Sequence, residues 1–135
     1  MKSDGQIGEG TLLRLLGLAH AIVGIALYRR EIRAIGAEGV LAGIPYRGPK
    51  ATPFWFLMQT PMIWIVAGLV GKAEEAKDWR SLRTAHRVSA ASALVAIVLL
   101  PVSGFWGWLA VSLRGLRRVR AWQSGGASAH PRSAP

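Results

Sequence analysis

VSAASALVAIVLLPVSGFWGWLAVSL, residues 88–113, decides the fold of this chain. It is 26 residues without a single charge. A membrane-spanning helix needs roughly 20 largely apolar residues at ~1.5 Å rise each. The stretch is therefore long for one crossing and short for two. Pro101-Val102-Ser103-Gly104 interrupts it, and two readings compete. Either one helix crosses once with a kink at Pro101, or a tight hairpin joins two helices. The hairpin requires Arg114, Arg117 and Arg118 to snorkel, because the apolar part of its second arm is short.

Two further apolar segments lie upstream, at about 11–28 and 53–71. The blocks alternate with charged runs, as in a membrane protein; a soluble domain of this size would interleave charge along each helix. Charge placement then separates the readings. With four spanning helices, the N-terminal stretch, the 72–87 linker and the C-terminal tail share one side and carry 12 Lys/Arg against 5. With three, the split is 7 against 10. The positive-inside rule favours four, with both termini cytoplasmic. The expectation is an all-α, integral membrane four-helix bundle with helices at about 8–29, 53–71, 81–100 and 103–121. The alternative is three transmembrane helices, the last kinked at Pro101. Residues 1–122 form one membrane domain, and the Gly/Ser/Pro-rich tail 123–135 is expected to be disordered.

Smaller signals refine this plan. Residues 30–37 suit a short amphipathic helix with Ile32 and Ile35 on one side. Gly39, Gly43 and Pro45 then loosen the chain into turns. Pro53 fits a helix start, and Phe54-Trp55-Phe56 supplies an aromatic belt. Pro61 cannot donate to the carbonyl of Leu57, which predicts a bend and not a break. No cleavable signal is expected, since Arg14 interrupts the first apolar run.

Composition closes several routes. The formal charge is +10 in 135 residues. Its basic residues cluster at the ends of apolar runs, where they meet lipid phosphates. They form no stripe with interleaved aromatics, so nucleic acid is not an expected partner. There is no cysteine, which excludes disulfides and thiolate chemistry. Arg, Ala and Gly dominate over Lys and Asn, a bias that suits a GC-rich bacterial genome. The expected location is the bacterial inner membrane, multi-pass, with the lipid bilayer as the first partner and another membrane protein as a further one. The sequence does not set the oligomeric state.

Small residues mark where helices meet in lipid. Gly17, Ala21 and Gly24 form such a face on the first helix. Ser89 and Ala93 form one on the third. Either the two faces touch, or they pack on the larger residues of the second helix.

Polar groups inside apolar runs are the candidate site. His20 lies mid-helix, and an ionisable residue there is a functional hypothesis or a packing device. Gln59 is its candidate partner if the first two helices run antiparallel. Trp55, Ser103 and Trp106 complete the set His20, Trp55, Gln59, Ser103 and Trp106. His86, beside Arg83 and Arg87, reads as an interfacial residue, at the wrong depth to share a haem iron with His20. All seven acids fall in loops or the N-terminal stretch, which disfavours a carboxylate proton path. No catalytic residue, metal ligand set, cofactor or phosphate-binding loop is expected.

Leu16-Gly17-Leu18-Ala19-His20-Ala21-Ile22-Val23-Gly24, Phe54-Trp55-Phe56 and Pro101-Val102-Ser103-Gly104-Phe105-Trp106, in this order, resemble an uncharacterised family of small four-helix bacterial membrane proteins. The resemblance covers about residues 8–120 and implies four helices with a hairpin at Pro101. It implies no activity. Thr60-Pro61 and the charged 72–87 linker depart from it. A looser architectural likeness is to DoxX-type proteins, which are associated with quinone or redox partners. The leading expectation is a non-enzymatic membrane protein with a small-molecule or partner site around His20. The alternatives are an accessory subunit of a membrane redox or transport complex, or a membrane enzyme acting on a lipid or quinone with His20 as base.

Overall fold

A computed structural model describes residues 7–39, 48–101 and 103–127. The described residues are all-α, in five helices: α1 (Glu9–Leu27), α2 (Arg29–Glu38), α3 (Ala51–Glu75), α4 (Trp79–Leu99) and α5 (Phe105–Ala127). Three of these, α1, α3 and α4, are long and apolar enough to cross a membrane. The turn residues Gly43 and Pro45 and the tail beyond Ala127 lie outside the described residues.

Helix α1 stops at Tyr28, whose N–H bonds Gly24 O at 3.0 Å, and α2 starts at once. α2 is the short amphipathic helix read from residues 30–37, and it buries no residue. α3 runs unbroken through Pro61. It also extends a turn beyond the apolar segment, to Glu75, because Glu74 makes contacts there that fix it. α4 is capped by Asp78, whose carboxylate accepts the Ser81 N–H at 3.1 Å. That hydrogen bond holds the Asp78 carboxyl below its ordinary range. α4 ends at Leu99, and α5 begins at Phe105, so the 88–113 stretch is two helices with a turn between them. The Trp106 indole donates to Pro101 O at 2.9 Å and closes this turn. α5 continues past the expected end at residue 121 to Ala127. Arg83 on α4 donates to the Gln123 side chain and holds that last turn.

The four long helices touch in a closed circuit: α1 on α3, α3 on α4, α4 on α5 and α5 on α1, with the α1–α3 and α4–α5 pairs packed most closely. Both close pairs are antiparallel. In the first, Gly10 faces Gly71, Gly17 faces Trp64 and Ile63, and Gly24 faces Phe56 and Leu57. A Cβ on Gly10 would lie 2.8 Å from the Gly71 backbone, so the two helices approach as only a glycine at position 10 allows. Of the two packing readings, the small face of α1 therefore takes the second helical segment, α3. On α4, Leu82, His86, Ala90, Ala93 and Ile97 are buried at spacings of three and four, one helical stripe. Leu13, Ala67, Val70, Leu82 and Val119 form a buried apolar cluster shared by all four long helices. It sits toward the end of the circuit where α1 begins and α3 ends.

Candidate functional site

The first four N–H groups of a helix lack partners within it. At α1 the N-cap is Gly8, which has no side chain to offer. Glu74, from the last turn of α3, takes that role. Its carboxylate accepts the Glu9 N–H at 2.8 Å and the Gly10 N–H at 3.1 Å. A carboxylate at the positive end of a helix is favourably placed. The antiparallel α1–α3 packing and the Gly10–Gly71 approach bring it there.

Glu9 itself turns inward and is 2% exposed. Arg118 on α5 bridges the two acids, with Nη1 2.7 Å from Glu9 Oε2 and 3.3 Å from Glu74 Oε1. Arg114, one turn earlier, donates to Ile7 O at 2.9 Å and stands 3.7 Å from Glu9 Oε1. Among the described residues, Glu9 Oε1 nonetheless finds no hydrogen-bond partner. Beyond Arg118, its guanidinium lies 5.5 Å from the Trp122 ring centre, and Trp122 meets Trp79 edge-on at 4.1 Å.

His86 completes the cluster. It is 2% exposed, buried between α4 and α5 and not open to its surroundings like its neighbour Arg87. The reason is Gly115 on α5: a Cβ there would fall 2.2 Å from His86 Nε2. The missing side chain makes the space that the imidazole fills. Glu9, Glu74, His86, Gly115 and Arg118 then border a cavity of about 30 Å³. That admits water, which needs at least ~10–15 Å³, and no organic substrate. The expectation that the acids stay in loops or the N-terminal stretch needs correction at Glu74. Glu9 opens α1 and Glu74 lies in the last turn of α3, so two carboxylates meet inside the helical assembly.

The residues singled out from sequence lie elsewhere. His20 Nε2 is 2.9 Å from Phe56 O, and its ring stacks on Phe56 at 4.0 Å. Gln59, one turn further along α3, is exposed and is not the partner of His20. Trp55 is exposed and meets Phe54 edge-on at 5.1 Å. Ser103 has a buried hydroxyl with no hydrogen-bond partner among the described residues, and Trp106 serves the α4–α5 turn. Among the described residues, these five share no hydrogen-bonded site. Nor do three His, Asp or Glu side chains gather there as metal ligands.

One comparison with known proteins is informative. A family described as a family of unknown function, DUF6463, matches residues 6–122. No curated protein and no solved structure matches.

Proposed function

We propose, for a chain that belongs to DUF6463 and takes no assigned activity from it, a non-enzymatic integral membrane protein with four spanning helices and a proton-responsive clamp at Glu9, Glu74 and Arg118. Its seat is the bacterial inner membrane, with both termini cytoplasmic. Three helices suited to crossing support the membrane reading. So do the large apolar side chains pointing outward around the circuit, among them Ile22, Ile65, Leu69, Val95 and Val98. Such a surface is an aggregation liability in water and an ordinary one in lipid. α5 is the fourth span. It lies antiparallel to α4, is apolar from Phe105 to Leu113, and places Arg114, Arg117, Arg118 and Arg120 at the end where α1 starts.

The observation that carries the clamp is the burial of Glu9 against Arg118 beside a water-sized cavity. Removing a charge from water is costly, and a buried pair is weak evidence for stability alone. An ionisable group at a membrane helix is a functional hypothesis by default. In the ionised state Glu74 caps α1 while Arg118 binds both acids, so the start of α1 and the end of α3 are held to α5. A proton delivered through the cavity to either carboxylate cancels one ion pair and loosens α1 from α3 and α5. Arg114, Arg118 and His86 are the other charged or titratable groups facing the pair. The second reading, an enzyme acting on lipid or quinone through His20, would use a half-buried ring that stacks on Phe56 and sits 2.9 Å from Phe56 O.

The test uses the full chain in zwitterionic nanodiscs. The emission of Trp79 and Trp122, isolated by subtracting a W79F/W122F variant, is followed from about pH 8 to about pH 4, across the carboxylate range. A transition is expected in the wild type and should vanish in Glu74→Gln. Identical titrations in the two proteins would reject the clamp as a proton sensor.

A further inference from the structure

On the outer seam of α4 and α5, Arg83, Arg87, Leu116, Arg120 and Gln123 line a recess of about 200 Å³. It is below the roughly 300 Å³ at which pockets for drug-sized molecules begin. The three arginines come from two antiparallel helices, and among the described residues no acid lines the recess. Elsewhere on α5, Arg114 and Arg118 are paired with Glu9 and Glu74. Arg83 is held by the Gln123 side chain. Arg87 and Arg120 make no side-chain hydrogen bond or ion pair among the described residues. A guanidinium is planar and suited to binding phosphate through two donors.

The recess also has a direction. Arg87 is the last charge before the apolar run of α4. Two turns on from it, Leu94 is exposed on the same helix face, and one turn from Leu116, Leu113 is exposed on α5. A ligand with its anion on the arginines would lay an apolar chain along this seam. We infer that the Arg83–Arg87–Arg120 recess is a discrete binding site for the phosphodiester headgroup of an anionic phospholipid, whose acyl chain follows Leu94 and Leu113. Free phosphate shares the headgroup chemistry and lacks the chain.

This inference rests on the membrane reading above. The test takes full-length protein purified in a mild zwitterionic detergent and measures lipid retained per chain by native mass spectrometry. Phosphatidylglycerol and phosphatidylcholine are added in equal amounts. The wild type should retain about one phosphatidylglycerol in clear preference to phosphatidylcholine. R87Q/R120Q should lose that retention roughly tenfold or more, since each basic side chain near a headgroup contributes several-fold. R80Q/R117Q removes the same charge outside the recess and should change it less than about twofold, as expected for exposed, screened charges. Equal losses in the two double variants would overturn the site and leave only diffuse attraction. Release of the lipid by millimolar inorganic phosphate would overturn the lipid assignment. Extraction of the protein from vesicles by alkaline carbonate would instead reject the membrane reading itself.

Discussion

At the scale of single residues, the molecule turns on one missing side chain. Gly115 gives His86 its place, and the overlap a Cβ would create, 2.2 Å from Nε2, is too large for small adjustments. Gly115→Ala must therefore expel the imidazole or part α4 from α5. The expected loss is about 1–3 kcal/mol, the usual cost of overpacking. His86→Ala makes room for the methyl group, so the double variant should be less destabilised than the sum of the singles. Thermal unfolding of the four proteins in detergent reads this out, and additive losses would mean that Gly115 serves some other contact. The same pair shows why the candidate site was hard to read in advance. Hydropathy picks out His20 because it stands alone in an apolar run, yet its partner is a backbone carbonyl that no sequence pattern marks. Glu9 and Glu74 are 65 residues apart and sit at the ends of their segments, where acids look solvated. Antiparallel pairing of the first two long helices puts these ends at one depth, and that was the available signal. What could not be read was that Gly8 leaves α1 uncapped, so that Glu74 is drawn in.

At the scale of elements, much more was legible, because apolar length and turn residues act locally. The amphipathic 30–37 helix, the break at Pro101–Gly104 and the continuity of α3 through Pro61 all follow from the sequence and are present. The glycine face of α1 was also legible, but its partner was not. Small residues show where a helix is thin without showing which neighbour fills the space. The structure ranks these glycines by what stands opposite. A Cβ on Gly10 meets backbone atoms of Gly71 and Ala67 within 2.9 Å, which can yield only if the helices separate. On Gly17 it meets the Trp64 ring at 2.7 Å, and that half-exposed side chain can swing outward. On Gly68 it meets nothing within 4 Å. Gly10→Ala should therefore cost the most, about 2–3 kcal/mol, and Gly17→Ala about 1 kcal/mol. Gly68→Ala should be neutral or stabilising by up to about 1 kcal/mol, since alanine is the better helix former. Thermal midpoints of the three variants check the order, and a Gly10→Ala protein as stable as Gly68→Ala would contradict the described α1–α3 contact.

At the scale of the whole molecule, the open question of the sequence becomes a question of sides. A hairpin at Pro101 returns α5 along α4 to the end where α1 begins, and Arg114 and Arg118 meet Glu9 there. If α5 completes a fourth crossing, the α3–α4 turn and the end of α5 share one face of the membrane. The connections after α1 and after α4 then share the other. If only three crossings are made, the end of α5 moves to the opposite face from the α3–α4 turn, and the Arg118–Glu9 pair cannot form in the membrane. The chain has no cysteine, so single replacements report position without background. In K77C, G48C, G104C and S124C variants, a membrane-impermeant maleimide is applied to right-side-out and to inverted vesicles. K77C and S124C should label in inverted vesicles only, since the basic segments prefer the cytoplasmic face. G48C and G104C should label only in right-side-out vesicles. Labelling of K77C and S124C from opposite faces would dismiss the four-span arrangement, and the clamp would fall with it, because the start of α1, the end of α3 and Arg118 of α5 must lie at one depth to be held together.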